Sequence, residues 1–182
     1  MKKQLSEEMS IPKELPPAER YNWLYHIHYI RGEHDLCLKQ MERYNTGSEY
    51  STYLRGLISL REGNAKSALN SFNSLKSMNN STYIKAIARC LMLLGRHQNV
   101  CDLIKEIGLK VSPNDWQLWS LYGNALLYMG SIQLAKDAFQ NALQTTNQIE
   151  PFISLAQCHI AESDYKSAIF VLRRATEYIP IQ

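Results

Sequence analysis

The sequence predicts an all-α protein, a solenoid of about five helix–turn–helix repeats. Four glycines (Gly32, Gly63, Gly95 and Gly130) each separate an apolar-periodic stretch from a second amphipathic stretch, and Ser163 takes the same place in a fifth repeat. Successive members of this series lie 31, 32, 35 and 33 residues apart, a period typical of helical-repeat architectures. Because one such repeat cannot bury its own apolar face, neighbouring repeats must stack.

The fourth repeat shows the pattern most clearly. Its first stretch carries large residues at positions i, i+3 and i+7, and its second stretch carries small residues where the two helices would meet. The positions concerned are Trp119, Tyr122, Gly123, Leu126, Gly130, Ala135, Phe139 and Ala142. Their order and spacing resemble the tetratricopeptide-repeat (TPR) family, so the predicted fold class is an all-α TPR solenoid.

The apolar periodicity, and the residues that interrupt it, predict the bounds of ten helices in five pairs. First helices are expected near 19–31, 49–61, 81–93, 116–128 and 149–161. Second helices are expected near 34–44, 65–77, 97–108, 132–145 and 165–178. Core side chains are expected at Trp23 or Leu24, Phe72, Trp119, Ala135, Phe139, Ala142, Ala168 and Leu172.

The second repeat departs from this pattern. Thr52 and Arg55 stand where its first helix should carry large apolar residues. We therefore expect that helix to pack through a different stripe with helical spacing. The stripe consists of Tyr50, Tyr53, Leu54, Leu57 and Ile58.

Two regions are predicted along the chain. Residues 1–17 are predicted to be a flexible leader, because Pro12, Pro16 and Pro17 preclude a continuous helix there. The TPR array is predicted to occupy 18–182, with repeats near 18–48, 49–80, 81–115, 116–148 and 149–182.

Composition and charge argue against several classes of function. The 20 lysines and arginines are scattered and the formal net charge is only +3, which disfavours a nucleic-acid-binding surface. The charged N-terminal residues do not form a signal peptide, and no apolar run approaches the roughly 20 residues that cross a bilayer. Cys37, Cys90, Cys101 and Cys158 form no CxxC pair, so we expect buried, reduced thiols. The prediction is a cytoplasmic protein without direct membrane insertion.

No cluster of residues predicts chemistry. His26 and His28 point to different faces of a helix, so they cannot share a metal ion. Cys158 and His159 likewise point apart, which disfavours a nucleophile and base pair. The sequence also lacks a phosphate-binding loop and a glycine-rich dinucleotide motif. We therefore predict no catalytic residue, no cofactor, no metal and no enzyme activity.

The predicted functional site is a protein-binding groove lined by outward positions of the first helices, the face that TPR arrays usually use. Its predicted residues are Asn22, His26, Tyr29, Tyr50, Tyr53, Lys85, Arg89, Gln117, Asn124, Tyr128 and Gln157. Lys85 and Arg89 lie four residues apart on one helix face, with no matching acid at the groove positions. The alternatives are that this basic pair is simply solvated and that Tyr53 packs against a neighbouring helix.

The predicted groove differs from that of co-chaperones that bind chaperone tails. A carboxylate clamp of that kind needs Lys, Asn, Asn, Lys and Arg over three repeats. The corresponding positions of this chain hold Asn22, His26, Leu54, Thr82 and Ala86. The sequence therefore predicts a TPR protein that is not a carboxylate-clamp co-chaperone.

The first repeat carries a more specific resemblance. Its segment 19–31, which reads ERYNWLYHIHYIR, is similar to the opening repeat of the Bardet–Biedl syndrome 4 protein family. Further similarity lies in Glu49-Tyr50, in Arg61-Glu62-Gly63-Asn64, in segment 88–97 and in Asp115-Trp116. The resemblance runs from about residue 19 to residue 180 and corresponds to the N-terminal tetratricopeptide repeats of that family.

This resemblance implies a subunit of the BBSome, the complex that carries membrane proteins in and out of cilia. It implies a non-catalytic scaffold that binds other BBSome-type subunits or extended peptide segments and contributes to cilium assembly. It also implies a place in the cytoplasm, at the cilium, the basal body and centriolar satellites. The alternative is a generic TPR adaptor in another cytosolic complex.

The last predicted helix has more apolar surface than the preceding repeat can cover. Its apolar residues are Ile169, Val171, Leu172, Ala175 and Tyr178. A terminal solenoid helix normally turns a polar face outward. We therefore expect this face to contact a further repeat or a partner subunit.

Overall fold

The computed structural model describes residues 16–44, 47–75 and 80–178, and these ranges contain helices and turns but no strand. The paired-helix fold predicted from the sequence is confirmed. The helices are α1 (Asn22–Ile30), α2 (His34–Tyr44), α3 (Glu49–Arg61), α4 (Ala65–Asn73), α5 (Ser81–Leu93), α6 (His97–Leu103), α7 (Leu109–Val111), α8 (Trp116–Tyr128), α9 (Ile132–Thr145), α10 (Ile149–Ala161) and α11 (Tyr165–Thr176). One π-helical turn, Ile104–Gly108, joins α6 to α7.

Several predicted bounds need correction. Helix α1 begins at Asn22 rather than residue 19, because the chain first makes a turn in which the amide of Glu19 donates to the carbonyl of Pro16. Helix α4 ends at Asn73, so the predicted segment to residue 77 is too long. Most of the predicted leader 1–17, namely residues 1–15, lies outside the described residues.

The predicted helix 97–108 is instead α6, the π-helical turn and α7, and it continues to residue 111. The turn carries Gly108 into the interior, against Ile84 and Leu118. A Cβ on Gly108 would lie 3.4 Å from Ile84 and 3.5 Å from Leu118, an ordinary contact. The segment therefore stays packed although its helical pitch changes.

Side-chain caps fix where several helices begin. The caps of α3, α5 and α8 are Ser48, Asn80 and Asp115, and each accepts from a backbone amide of the first turn. Asn64 and Asp164 cap α4 and α11 in the same way. Each cap satisfies a backbone donor that has no partner within its helix.

The turns between paired helices use the predicted residues. Gly32, Gly63, Gly95 and Gly130 all adopt positive φ angles, between 69° and 81°. Ser163 adopts the same left-handed conformation, with a φ of 61°. Glycine reaches this region without steric cost, whereas a serine is strained there.

The helices form two compact units, residues 1–76 and 77–182. In the first unit, helices α1, α2 and α3 share a core built around Tyr25, Met41, Leu54 and Ile58. Gly56 lies so close to the ring of Phe72 that a Cβ there would be 2.4 Å away. The small residue on α3 therefore lets α4 pack directly against it.

The second unit contains α5 to α11, and it repeats this contact. A Cβ on Gly123 would lie 2.6 Å from Phe139. Helix α8 packs against α9, its partner in the fourth repeat, and against α5 and α10, the first helices of the neighbouring repeats. The small residue that the pattern predicted at position 123 is thus required by the geometry.

The core predicted from the repeat pattern is partly right. Phe72, Ala135, Phe139, Ala142 and Ala168 are buried, as predicted. In the second repeat, Leu54 and Ile58 of the predicted alternative stripe are buried as well, whereas its other members are half-buried. The predicted packing positions on α4 and α9, and Ala168 on α11, are thus correct.

Three core predictions are wrong. Trp119 is only half-buried, and its indole N–H donates to the carbonyl of Pro113, while Leu118 is fully buried in its place. In α1 the buried residue is Tyr25 rather than Trp23 or Leu24. Adjacent residues are 100° apart on a helix, so a small rotation exchanges them. Leu172 is exposed because no described helix covers its face.

Candidate protein-binding site

In the first compact unit, hydrogen bonds join the predicted site residues of α1 to the start of α3. Asn22 accepts a hydrogen bond from the Ser48 hydroxyl at 2.7 Å, and the same hydroxyl caps α3. His26 Nδ1 is hydrogen-bonded to the Tyr50 hydroxyl. These contacts bring Asn22, His26 and Tyr50 together on one surface of the unit.

Tyr29 lies at the other end of α1 and is held by two neighbours. Its ring stacks on that of His34 with centroids 5.8 Å apart. The guanidinium of Arg61 lies over the same ring, 4.7 Å from its centroid, and donates to His34 Nε2 at 3.4 Å. A cation so close to an aromatic face is attracted by the electrons of the ring, so this contact helps to orient Tyr29.

Tyr50 and Tyr53 continue this aromatic surface on α3. Their ring centroids are 6.4 Å apart, and Tyr53 also lies 5.8 Å from Phe72. Tyr53 is half-buried, so it packs against α4 and keeps part of its ring accessible. Tyr53 therefore packs against a neighbouring helix, as the alternative interpretation expected, while the rest of its ring stays accessible.

In the second compact unit, Lys85 forms an ion pair that the sequence analysis did not predict. Its ammonium donates to Asp115 Oδ2 at 2.8 Å, and both side chains are only 17% exposed. The expectation that Lys85 lacks an acidic partner is therefore wrong. The partner, Asp115, lies 30 residues further along the chain, which is nearly the length of one repeat. It caps α8, the first helix of the following repeat.

Arg89, Asn124 and Gln157 form a polar row at corresponding positions of α5, α8 and α10, the first helices of three successive repeats. Arg89 and Gln157 are exposed and Asn124 is half-buried. Arg89 makes no ion pair with any carboxylate of the described residues. Of the predicted basic pair, Arg89 is thus the cation that remains available to a partner.

The two remaining site residues differ in exposure. Gln117 is half-buried, and its backbone amide donates to Asp115. Tyr128 is 72% exposed and its ring stacks on that of His97 with centroids 5.0 Å apart. A large exposed aromatic ring held by stacking offers a contact to a partner at little entropic cost.

The thiols of the chain are shielded from solvent. All four cysteines are buried, and burial raises the pKa of Cys90 and of Cys158 to about 11. Both thiols therefore remain protonated and weakly nucleophilic at neutral pH. Within the described ranges, no three His, Cys, Asp or Glu side chains are grouped so that they could hold a metal ion.

Sequence reasoning missed Arg61 in the first compact unit and Asp115 and His97 in the second. Each contacts a predicted site residue from a neighbouring helix. Asp115 could have been found from its place, since an acid at the N-cap of one first helix lies beside the preceding first helix. The contacts of His97 and Arg61 depend on side-chain direction, for which the sequence gives no signal.

Comparison with curated proteins confirms the resemblance to the Bardet–Biedl syndrome 4 family. The chain is 30% identical over 173 residues to the mouse protein named BBSome complex member BBS4, covering 92% of this chain and 33% of that protein. The Xenopus tropicalis protein of the same name gives the same identity and coverage. The Drosophila melanogaster homologue is 26% identical over 183 residues, 92% of this chain and 38% of its own length. The chain thus spans about a third of the length of these relatives.

Solved structures agree with the TPR fold class. MamA of Desulfovibrio magneticus RS-1, solved from residue 41 to its end, matches with a TM-score of 0.76 and 16% identity, over 92% of this chain and 96% of that one. A thermophilic TPR protein of Thermus thermophilus matches with a TM-score of 0.72 and 18% identity, over 90% of this chain and 92% of its own. No family model matches the chain. At these identities the structural likeness shows the fold alone.

Proposed function

Because the chain is a homologue of the BBS4 proteins over 92% of its own length, we propose that it is a non-catalytic protein-binding scaffold, a BBSome-like subunit in ciliary membrane-protein trafficking and cilium assembly. This homology is the observation that carries the proposal. The TPR fold supports it, since such helical arrays expose extended binding surfaces. The named relatives are members of a complex, which makes other BBSome-type subunits the proposed partners.

The polar row of Arg89, Asn124 and Gln157 is the proposed centre of binding in the second compact unit. Asparagine and glutamine amides each donate and accept hydrogen bonds, so they match the backbone N–H and C=O groups of an extended segment. An arginine adds a planar donor group that binds a carboxylate through two hydrogen bonds. The row is therefore suited to an extended peptide segment that carries an acidic residue.

The aromatic surface of the first compact unit is the second proposed contact area. Tyr29, Tyr50 and Tyr53 are half-buried, and each is fixed by a ring or cation neighbour. Rigid aromatic residues supply much of the binding energy in protein interfaces. His26 and Asn22 give the same surface polar edges that can orient a partner.

The proposed location is the cytoplasm, at the cilium, the basal body and centriolar satellites. No helix among the described residues is long and apolar enough to cross a bilayer. Contact with ciliary membrane proteins would accordingly be made through the complex. We propose no nucleic-acid partner, because the exposed cations are scattered rather than aligned.

Affinity purification from ciliated cells tests this proposal. The tagged chain is expected to recover other BBSome subunits, identified by quantitative mass spectrometry. Arg89→Glu should lower their recovery several-fold, because it reverses the accessible charge of the row, and Lys105→Glu, an exposed change outside the row, should not. Recovery of another cytosolic complex without BBSome subunits would support a generic TPR adaptor instead.

A further inference from the structure

The loop between α7 and α8 carries a dipeptide that occurs once in the sequence. Ser112-Pro113 is the single Ser-Pro or Thr-Pro dipeptide among the 182 residues. Proline-directed protein kinases recognise a serine or threonine by the proline that directly follows it, a residue with a fixed φ angle and no N–H. The sequence therefore offers one acceptor to a kinase of this class.

The backbone of this loop suits recognition by a kinase. Ser112 follows α7 with a φ of −143° and a ψ of 77°, outside the helical region, because the residue before a proline is disfavoured there. Pro113 and Asn114 are exposed, and Ser112 is half-buried. Protein kinases bind the acceptor residue in an extended chain, so Ser112 offers a backbone that a serine within a helix does not.

The fold uses the backbone of Ser112 but not its hydroxyl. The amide of Ser112 donates to the carbonyl of Gly108 at 2.9 Å, and its carbonyl accepts from the amide of Asp115 at 3.2 Å. No hydrogen bond joins the hydroxyl to another residue of the described ranges. By contrast, the hydroxyl of Ser48 caps α3. A phosphate can therefore be attached to Ser112 without breaking a hydrogen bond of the fold.

Charged groups of both signs lie near the acceptor. The hydrogen bond between Ser112 and Asp115 closes a turn, and such a turn brings the Cα atoms of its first and fourth residues within about 7 Å. The Asp115 carboxylate in turn pairs with the Lys85 ammonium at 2.8 Å. Lys110, two residues before the acceptor, is exposed and makes no ion pair with a described carboxylate. A phosphate on Ser112 would thus lie beside the ion pair that joins α5 to α8.

From these observations we propose that Ser112 is a phosphorylation site for a proline-directed protein kinase and that its phosphate weakens the ion pair between Lys85 and Asp115. A phosphoserine carries a charge of about −1.5 to −2 at pH 7. It therefore repels the Asp115 carboxylate and competes with it for the Lys85 ammonium, which loosens the stacking of the third and fourth repeats. This inference goes beyond the proposed function, since it assigns a regulatory site outside the polar row and the aromatic surface.

The transfer step needs a nucleoside triphosphate as the phosphoryl donor, which the kinase binds. The Ser112 Oγ forms a bond to the γ-phosphorus, the bond between that phosphorus and the β,γ-bridging oxygen breaks, and the nucleoside diphosphate leaves with the bonding electrons. The hydroxyl proton passes to a catalytic base of the kinase. In this step the chain supplies the acceptor hydroxyl, and Pro113 supplies the recognition.

Phosphorylation of the folded chain tests the site. The whole chain is incubated with ATP and an active mitogen-activated protein kinase, and tandem mass spectrometry locates the phosphate, which is expected on Ser112. Pro113→Ala is the matched control, because it keeps the hydroxyl and removes the recognised residue, and it should lower the rate about tenfold or more. Circular dichroism verifies that the variant is folded. A chain without phosphate on Ser112, or equal rates for the two chains, would overturn the assignment.

Thermal unfolding then tests the effect of the phosphate. The phosphorylated chain should unfold about 2–4 °C below the unmodified chain. In Asp115→Asn, which keeps a side chain able to cap α8, phosphorylation should not lower the melting temperature, because the repelled carboxylate is gone. An equal fall in both chains would contradict the proposed action on the ion pair. If Asp115→Asn fails to fold, salt decides: the fall in the parent chain should shrink in 1 M NaCl, where the Debye length is about 3 Å, and a fall that salt leaves unchanged would equally contradict it.

Discussion

The ammonium of Lys85 and the carboxylate of Asp115 join the first helices of the third and fourth repeats. Asp115 Oδ2 accepts from Lys85 at 2.8 Å, while Asp115 Oδ1 accepts from the backbone amide of Gln117 at 3.0 Å. One carboxylate therefore caps α8 and also binds a cation on α5. The pair stabilises the stacking of two repeats rather than offering a free charge to a partner.

Replacing Lys85 should destabilise the second compact unit. Lys85→Met should lower the free energy of unfolding by about 1–3 kcal/mol, because it removes a hydrogen bond between charged groups from a mostly buried carboxylate. Lys85→Glu should cost more, because it sets two carboxylates side by side. Urea unfolding followed by circular dichroism measures both effects.

Arg89→Glu is the matched control for this pair. Arg89 is exposed one turn from Lys85 and makes no ion pair among the described residues. Its reversal should change the stability by less than about 0.5 kcal/mol. A Lys85→Met variant as stable as the parent chain would show that the ion pair contributes nothing to the packing of α5 on α8.

Gly123 should tolerate no larger side chain. In Gly123→Ala the new methyl group would meet Phe139 at 2.6 Å, so α8 or α9 must shift, at a cost of about 1–3 kcal/mol. Thermal unfolding measures this loss. Gly108→Ala is the control, because its Cβ would make only contacts of 3.4 Å or more, and it should be neutral or stabilising. Equal losses in both variants would contradict the close-approach argument.

Ser163→Gly should stabilise the chain. Ser163 holds a φ of 61°, and a left-handed conformation costs a residue with a Cβ about 1–2 kcal/mol. The greater freedom of glycine in the unfolded chain offsets part of this gain, so we expect a net increase of about 0.5–1 kcal/mol in the free energy of unfolding. The reverse change, Gly130→Ser, should lower it by about 1 kcal/mol. A Ser163→Gly variant less stable than the parent chain would show that the serine side chain has a stabilising role.

The cysteines should resist modification while the chain is folded. Burial raises the pKa of the Cys90 and Cys158 thiols from 9.0 to about 11, so only about one in a thousand is a thiolate at pH 8. Reaction with a chromogenic disulfide reagent should be slow in buffer and fast in urea. Immediate reaction of a thiol in buffer would contradict the burial of these residues.

The raised pKa values of Cys90 and Cys158 also predict that the folded chain loses stability at alkaline pH. Both thiols keep their protons to a higher pH in the folded chain than in the unfolded chain, so the folded state binds more protons between pH 9 and about pH 11. The free energy of unfolding should therefore fall as the pH rises through this window. Replacing both residues by Ala, at some cost in packing, should reduce that slope.

The sequence predicted helix positions well because turn residues and apolar periodicity are local signals. The glycines at 63, 95 and 130 mark the ends of α3, α5 and α8 at the predicted residues. It could not decide between Trp119 and Leu118 for the core, because the choice depends on a helix rotation that packing determines. The π-helical turn at Ile104–Gly108 likewise has no signal in the apolar pattern.

The candidate site was less predictable than the fold. Among the residues predicted at outward positions of the first helices, Arg89 and Gln157 are exposed. The partners of Lys85, Tyr128 and Tyr29 were not predicted; they are Asp115, His97 and Arg61, which approach from other parts of the chain. Whether a charged residue is free or paired depends on contacts across repeats, and of these only the N-cap position of Asp115 left a signal in the sequence.

Purification through a different BBSome subunit tests the central claim most directly. Endogenous BBSome is isolated from ciliated cells through a tag on one of its other subunits, and this chain is quantified in the product by mass spectrometry. The proposed function predicts that the chain is recovered in a constant ratio to the other subunits and that Arg89→Glu lowers this ratio. Absence of the chain from the purified complex, while it is present in the same cells, would contradict the claim.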